Sequence, residues 1–197
     1  NILFARSQLE QFDNSLGNLT DNLVEVKSLL VQAKNGTNNQ ANKESIAQAL
    51  EGLRADIFSN LNRKDFSGRF LYSGKEEFKA PYASVENPGP YKGEVPAAGD
   101  SAGLTVEVGD GVLINLGITA RDLVVLADSA PAVPPATAST PESNIFTALD
   151  KVISSLRASP GAGPLDLENG AQEIDQVFDQ VQNNRSSLGI RLAALDA

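Results

Sequence analysis

Residues 9–30, LEQFDNSLGNLTDNLVEVKSLL, place an apolar side chain at alternating steps of three and four: Leu9, Phe12, Leu16, Leu19, Leu23, Val26 and Leu30. Ala5 and Ala33 extend the series at both ends. This is a heptad seam, which must be buried against another helix. It predicts a rod from about Ile2 to Lys34, about 45–50 Å long at about 1.5 Å per residue. A second rod begins near Leu167 and puts Ile174, Phe178, Val181, Leu188, Leu192 and Leu195 on one face, with Arg185 at the seam position between Val181 and Leu188. The flanking g positions of the first rod are Gln8, Ser15, Asn22 and Leu29, without the Glu/Lys exchange that selects a partner in a free dimer. The two rods are therefore expected to pair within one molecule, antiparallel or nearly so. Val24, Leu29 and Val31 widen the apolar face and predict packing against several helices.

Between the rods, Asn35-Gly36 ends the first helix. A second stripe, Ile46, Leu50, Leu53, Ile57 and Leu61, completes a helical hairpin. Gly17 and Gly52 lie inside helices, each costing on the order of 1 kcal/mol relative to Ala. Gly17 is off the seam and marks a bend or a close approach by a neighbour. The texture changes after Asn62. FSGRFLYSGKEEFKAPY is aromatic, ENPGPYKGEVPAAGDSAG is dense in Pro and Gly, and LTVEV and VLINLGI alternate around Gly109-Asp110-Gly111 as a hairpin would. RDLVVLA reads as a short helix, and residues 130–141, with four prolines, read as a stiff linker. Thr140-Pro141-Glu142 is a good helix start, followed by Ile145 or Phe146, Leu149, Val152 or Ile153, and Leu156; SPGAGP then breaks the helix. The predicted fold class is mainly α with a small β-rich insertion, a long-helix rod bundle. Residues 1–65 and 141–197 form a discontinuous rod domain, and residues 66–140 form an inserted β-rich domain ending in the linker.

The chemistry open to such a chain is narrow. It has no Cys or His, which removes thiolate and imidazole metal sites and the nucleophiles that depend on them. The formal charge of -9 repels nucleic acid, and no apolar run reaches the length of a membrane span. An enzyme would need carboxylates. Glu76-Glu77 and the i,i+4 pair Asp175/Asp179 are the candidates, and both read better as solvated acids than as a glycosidase pair. Gly109-Asp110-Gly111 lacks the spacing of a calcium loop. Phe66, Phe70, Tyr72, Phe78 and Tyr82 suit a small core joining the insertion to the rods better than a sugar platform. Asn18, Asn35 and Asn184 open N-x-Ser/Thr triplets, two of them on helices. No catalytic, cofactor-binding or metal-binding residue is assigned. The candidate functional residues are the seam of the two rods, with Gly17 and Arg185 as the candidate interface. Without Met, Asn1 is not a natural start, and LGIRLAALDA ends in helical register, so the chain is expected to be an internal piece of a longer protein.

Three stretches carry a resemblance. VQAKNGTNNQANKESIAQALEGL resembles the helix–NGT–helix hairpin of bacterial flagellins and their junction relatives. NRKDFSGRFLYSGKEEFKAPY resembles the segment after that hairpin, and NNRSSLGIRLAALDA resembles the C-terminal rod motif. The order and spacing match over most of the chain, least in the middle. FSGRFLYSG resembles the hook–filament junction branch of the flagellin superfamily more than flagellin itself. The resemblance implies a structural subunit without an active site, which forms a ring joining a flexible hook to a stiff filament. Implied partners are further copies of the chain, a neighbouring hook-associated protein, flagellin and, through segments outside this sequence, an export chaperone. Export through the flagellar channel, assembly outside the cell and a monomeric state for this fragment are implied as well. An extracellular adhesion module centred on residues 66–130 is the competing class.

Overall fold

The seam of the first rod is buried along its whole length. In a computed structural model, Leu9, Phe12, Leu16, Leu19, Leu23, Val26 and Leu30 all turn inward from α1, Ile2–Ala33. The structure describes residues 2–35, 38–74, 76–89, 92, 105–107, 113–115, 117–126, 143–157 and 165–195. The other elements are α2 (Gln40–Leu61), β1 (Thr105–Glu107), β2 (Leu113–Asn115), α3 (Ala120–Val124), α4 (Ile145–Arg157) and α5 (Leu165–Leu195).

The seam lies against α5. Lys34 pairs with Glu168, Lys27 with Asp175 and Arg185 with Asp13, so residue numbers fall along α1 as they rise along α5. The two long helices are antiparallel, and the ion pairs all leave α1 from its e positions, Asp13, Lys27 and Lys34. On the opposite flank, g-position Ser15 meets Asn60 of α2. α4 packs against both α2 and α5 and closes a four-helix arrangement. Its face Ile145, Phe146, Leu149, Val152, Ile153 and Leu156 is buried, as are Ile46, Leu50, Leu53, Ile57 and Leu61 of α2. At the α4–α5 crossing, Gly170 is required: a Cβ there would stand 2.7 Å from Val152 Cγ2 and 3.0 Å from the Ala148 carbonyl oxygen.

Several expectations need correction. Val24 and Val31 are exposed, at 52% and 73%, instead of packing against further helices. They occupy b positions, beyond the e flank that α5 covers, so the apolar face is narrower than their hydrophobicity implies. On α5, Val177 is buried and Phe178 is only partly buried. Both lie three or four residues from Ile174 and Val181; the smaller side chain takes the core and Phe178 sits at the rim, beneath Lys27 Nζ at 4.4 Å from the ring centroid. Leu192 is half-buried. α4 begins at Ile145, later than Thr140-Pro141-Glu142, which fall outside the described residues. Asn144 caps it instead: its Oδ1 accepts from the backbone N–H of Phe146 (3.0 Å) and Thr147 (3.1 Å).

The insertion is not β-rich among the described residues. It contains one antiparallel pair, with Thr105 opposite Asn115 and Glu107 opposite Leu113, and two isolated bridges, Phe70–Lys64 and Val125–Asn144, join it to the residues on either side. The Gly109-Asp110-Gly111 turn, the 130–141 linker and SPGAGP fall outside the described residues. Residues 63–74 and 76–89 are mostly turns and bends. Asp65 Oδ1 accepts from the N–H of Ser67 (2.8 Å) and Arg69 (3.0 Å), closing a loop that Gly68 completes at φ 79. Side-chain capture of the backbone in this way competes with strand pairing.

The aromatics divide. Tyr72 and Tyr82 are fully buried in the same core as the rods: the Tyr72 ring lies 5.5 Å from Phe12, and Tyr82 lies 4.9 Å from Phe146, both edge-on. Phe66 and Phe78 are 92% and 80% exposed, so they do not join that core.

Candidate functional site

The two candidate interface residues meet each other inside one molecule. Arg185 of α5 lays its guanidinium over α1, with Nη2 3.7 Å from where a Cβ on Gly17 would stand. Its Nε is 3.3 Å from Asp13 Oδ1, and both side chains are about two-fifths exposed, at 41% and 42%. The antiparallel register puts Arg185 opposite the second turn-pair of the first seam, and the lack of a side chain at Gly17 leaves its head group room at the surface. A methyl there would make only ordinary contact, so the glycine is not forced by crowding.

Behind this pair is a buried polar knot. Asn60 Nδ2 donates to the Ser15 carbonyl at 3.0 Å, and the Ser15 hydroxyl bonds Asn60 Oδ1. Burial pushes the Tyr72 phenol well above its ordinary range, against an opposing hydrogen bond with Ser15. The knot fixes α1, α2 and the insertion relative to one another. The insertion is tied down twice more. Asn62 donates from Nδ2 to the Tyr82 carbonyl (3.1 Å) and accepts at Oδ1 from the Tyr82 N–H (3.0 Å), a side-chain imitation of strand pairing. Arg54, buried on α2, donates from Nη1 to the Val85 carbonyl and is paired with Asp150 of α4. Neither Arg54 nor Asn144 was foreseeable from apolar periodicity; an arginine within the α2 stripe and a polar residue directly before Ile145 were the available signals.

The carboxylates are not arranged for catalysis. Asp175 is exposed and paired with Lys27 at 2.9 Å, and Asp179 is exposed one turn on. Glu76 pairs with Lys79 at 2.8 Å, while Glu77 turns instead to Arg69 at 3.2 Å. The Asp65 side chain is almost fully covered: burial pushes its carboxyl up, but the backbone N–H groups of Arg69 and Ser67 and the Arg69 guanidinium outweigh this and hold it below the usual carboxylate range. On α2, hydrogen bonds from Arg157 pull Glu44 and Glu51 down, tying α4 to α2 at the surface. Among the described residues, no group of three or more acidic side chains is placed to hold a metal ion, and no helix is long and apolar enough to cross a membrane. What the geometry does provide is a rod of paired helices to which the described residues after α2 are tied by side chains.

Rods of this construction define a class, and residues 1–77 match the model of the bacterial flagellin N-terminal helical region. Over nearly its whole length the chain is similar to proteins named flagellar hook-associated protein 3. It is 25% identical to that of Escherichia coli and 27% to that of Salmonella typhimurium, over 98% of the chain in each case. The chain spans 61% and 60% of the length of these curated relatives. Its fold is that of FlgL from Xanthomonas campestris, with a TM-score of 0.81 at 16% identity over 100% of this chain and 89% of that one. Flagellin of Bacillus cereus has a TM-score of 0.62 at 18% identity, over 100% of this chain and 84% of that one.

Proposed function

We propose that the chain is the rod-bearing central part of a flagellar hook–filament junction subunit, a structural protein without an enzymatic activity. The observation that carries this reading is the similarity to flagellar hook-associated protein 3 along 98% of the chain, insertion included, whereas the flagellin model matches residues 1–77. The mechanism is geometric. A seam buried within one subunit leaves the outer helix faces free for neighbours, so a ring is built from rods that are already folded. Residues 1–65 with 141–197 supply the rod, and residues 66–140 supply a flank that distinguishes one subunit type from another. The seam of Leu9, Phe12, Leu16, Leu19, Leu23, Val26 and Leu30 against Ile174, Phe178, Val181, Leu188 and Leu192 is intramolecular, which fits a fragment that is monomeric in isolation. Partners are further copies, a neighbouring hook-associated protein and flagellin, outside the cell and after export through the flagellar channel. A flagellin reading is weaker because the fold match to flagellin is lower than to FlgL.

The test is a chimaera in which this chain replaces the corresponding segment of Escherichia coli hook-associated protein 3, in cells lacking that protein. Filaments retained on hooks, and swimming, are the expected outcome. Bare hooks with flagellin released to the medium, from a chimaera shown to be exported and folded, overturn the proposal.

A further inference from the structure

Asn-Gly occurs twice in the chain, at Asn35-Gly36 and Asn169-Gly170, and the fold places the two asparagines in opposite settings. The backbone nitrogen that follows an asparagine can attack the side-chain amide carbon, and a following glycine leaves that nitrogen unshielded and mobile enough to reach it. The attack needs a backbone that can turn the nitrogen toward Cγ. An α-helix, with fixed dihedrals and its amide hydrogens bonded, does not allow this.

Asn169 lies inside α5. The next residue, Gly170, is buried under α4, where even a Cβ would stand 2.7 Å from Val152 Cγ2 and 3.0 Å from the Ala148 carbonyl oxygen. Turning the Gly170 nitrogen out of the helix would require α4 and α5 to part. Asn35 lies beyond the end of α1 at Ala33 and is exposed. It is held in a turn: its N–H donates to the Gln32 carbonyl (3.1 Å), and its carbonyl accepts from the Asn38 N–H (3.2 Å).

We propose that Asn35 is a site of spontaneous deamidation, and that the α4–α5 crossing protects Asn169 from the same reaction. The Gly36 nitrogen forms a bond to Asn35 Cγ, the Cγ–Nδ2 bond breaks, and ammonia leaves with the proton that Gly36 gives up, closing a succinimide. Water then adds to one of the two ring carbonyls and reopens it. One opening gives aspartate, and the other gives isoaspartate, whose main chain runs through Cβ and Cγ. Either product places a new negative charge at the C-terminal end of α1, the unfavourable end of the helix dipole. Isoaspartate also lengthens the main chain in the turn that Asn38 holds, through its N–H and through Nδ2 to the Gln32 carbonyl (2.6 Å). The α1–α2 hairpin thereby records the age of the chain.

The folded chain is held in warm, mildly alkaline buffer, sampled over time, digested with trypsin and sequenced by tandem mass spectrometry. Asn35 falls in the peptide 35–43 with Asn38, Asn39 and Asn42, and Asn169 falls in 158–185 with Asn183 and Asn184, so each peptide carries its own controls. Asn35 is expected to convert at least about tenfold faster than Asn169, because buried helical backbone opens far more rarely than an exposed turn. In urea the two sites should react at similar rates, and Gly36→Ala should suppress the reaction at Asn35. The proposal is overturned if Asn35 stays intact, reacts no faster than Asn38, Asn39 and Asn42, or converts unchanged in Gly36→Ala. It is equally overturned if Asn169 keeps pace in the folded chain, or if the contrast between the two sites persists in urea.

Discussion

Arg185 Nε lies 3.3 Å from Asp13 Oδ1, joining the last rod to the first across the antiparallel register. Both groups are substantially exposed, so the ion pair is worth about 0–1 kcal/mol. Arg185→Ala is expected to lower stability by no more than that in urea unfolding. Gly17, under the same guanidinium, is expected to respond in the opposite direction. Gly17→Ala makes only a 3.7 Å contact and replaces a poor helix former, so it is expected to stabilise the isolated chain by up to about 1 kcal/mol. A loss of about 2 kcal/mol instead would show the surface to be packed more tightly than the geometry indicates.

Arg54 is the polar residue on which the insertion most depends. Its Nε is 2.9 Å from Asp150 Oδ1, its Nη2 donates to Asp150 Oδ2 at 3.2 Å, and its Nη1 serves the Val85 carbonyl. Its face lies over Phe146 at 5.7 Å from the ring centroid. Arg54→Met keeps much of the stem but leaves the Val85 carbonyl without its donor, with an expected cost of about 1–3 kcal/mol. Asp150→Asn keeps an oxygen that can accept from Arg54 at a half-exposed position, so it should cost less, about 1 kcal/mol. Thermal unfolding of the two variants side by side checks the order.

The seam gives a sharper measurement. Leu19 and Leu23 are both fully buried, and Leu19→Ala or Leu23→Ala leaves a cavity that rigid helices cannot close completely. Each is expected to cost about 2–5 kcal/mol in the isolated chain. Losses below about 1 kcal/mol would mean that the seam is completed by another subunit instead of by α5.

Much of this architecture can be read from the residues, and the limits are physical. A strict alternation of three and four steps predicted the buried apolar residues of α1, because α5 and α2 flank that line; it did not predict the burial of Ser15 and Thr20 beside it. It could not separate Val177 from Phe178, which flank the same line, and the choice falls to volume and to Lys27 above the rim. It overstated Val24 and Val31, since hydrophobicity alone does not say that a neighbour lies at the b position. Asn144 went unread because Thr140-Pro141-Glu142 offered a stronger local cap, while the start is set by Ile145 and Phe146 entering the core. Among the described residues, the segment after α2 forms turns because Asp65, Asn62 and Arg54 satisfy its backbone from side chains, a long-range arrangement that period-two patterning does not encode, whereas the alternation around Gly109-Asp110-Gly111 matches the β1–β2 pair. Gly17 and Arg185 were each identifiable, but that they meet follows only from the register.

The isolated chain is expected to sediment as a monomer at micromolar concentration. The long apolar line of α1 that would otherwise drive self-association is covered by α5. A stable dimer that Leu16→Asp or Leu23→Asp abolishes without unfolding the chain would instead place the seam between molecules.

Acid should loosen the clasp that holds the Phe66 and Phe78 turns. Asp65 has a folded-state pKa below its ordinary value of 3.8, so it contributes stability that is fully present above the unfolded value. That contribution is lost as pH falls from about 4 through the lower folded value, when protonation removes the charge that Arg69 and the turn N–H groups stabilise. Asp65→Asn removes the carboxylate charge but keeps an oxygen that can accept from the N–H groups of Ser67 and Arg69. The stability difference between parent and variant is therefore expected to be constant from pH 7 to about pH 5 and to shrink below about pH 4. Glu44 and Glu51, also lowered by their partner Arg157, lose their contribution in a similar acid range. The measurement must consequently be the difference between the two proteins at each pH, which cancels the shared acid loss on α2. A difference that stays constant down to pH 2 would show that the Asp65 carboxylate is not held by this clasp.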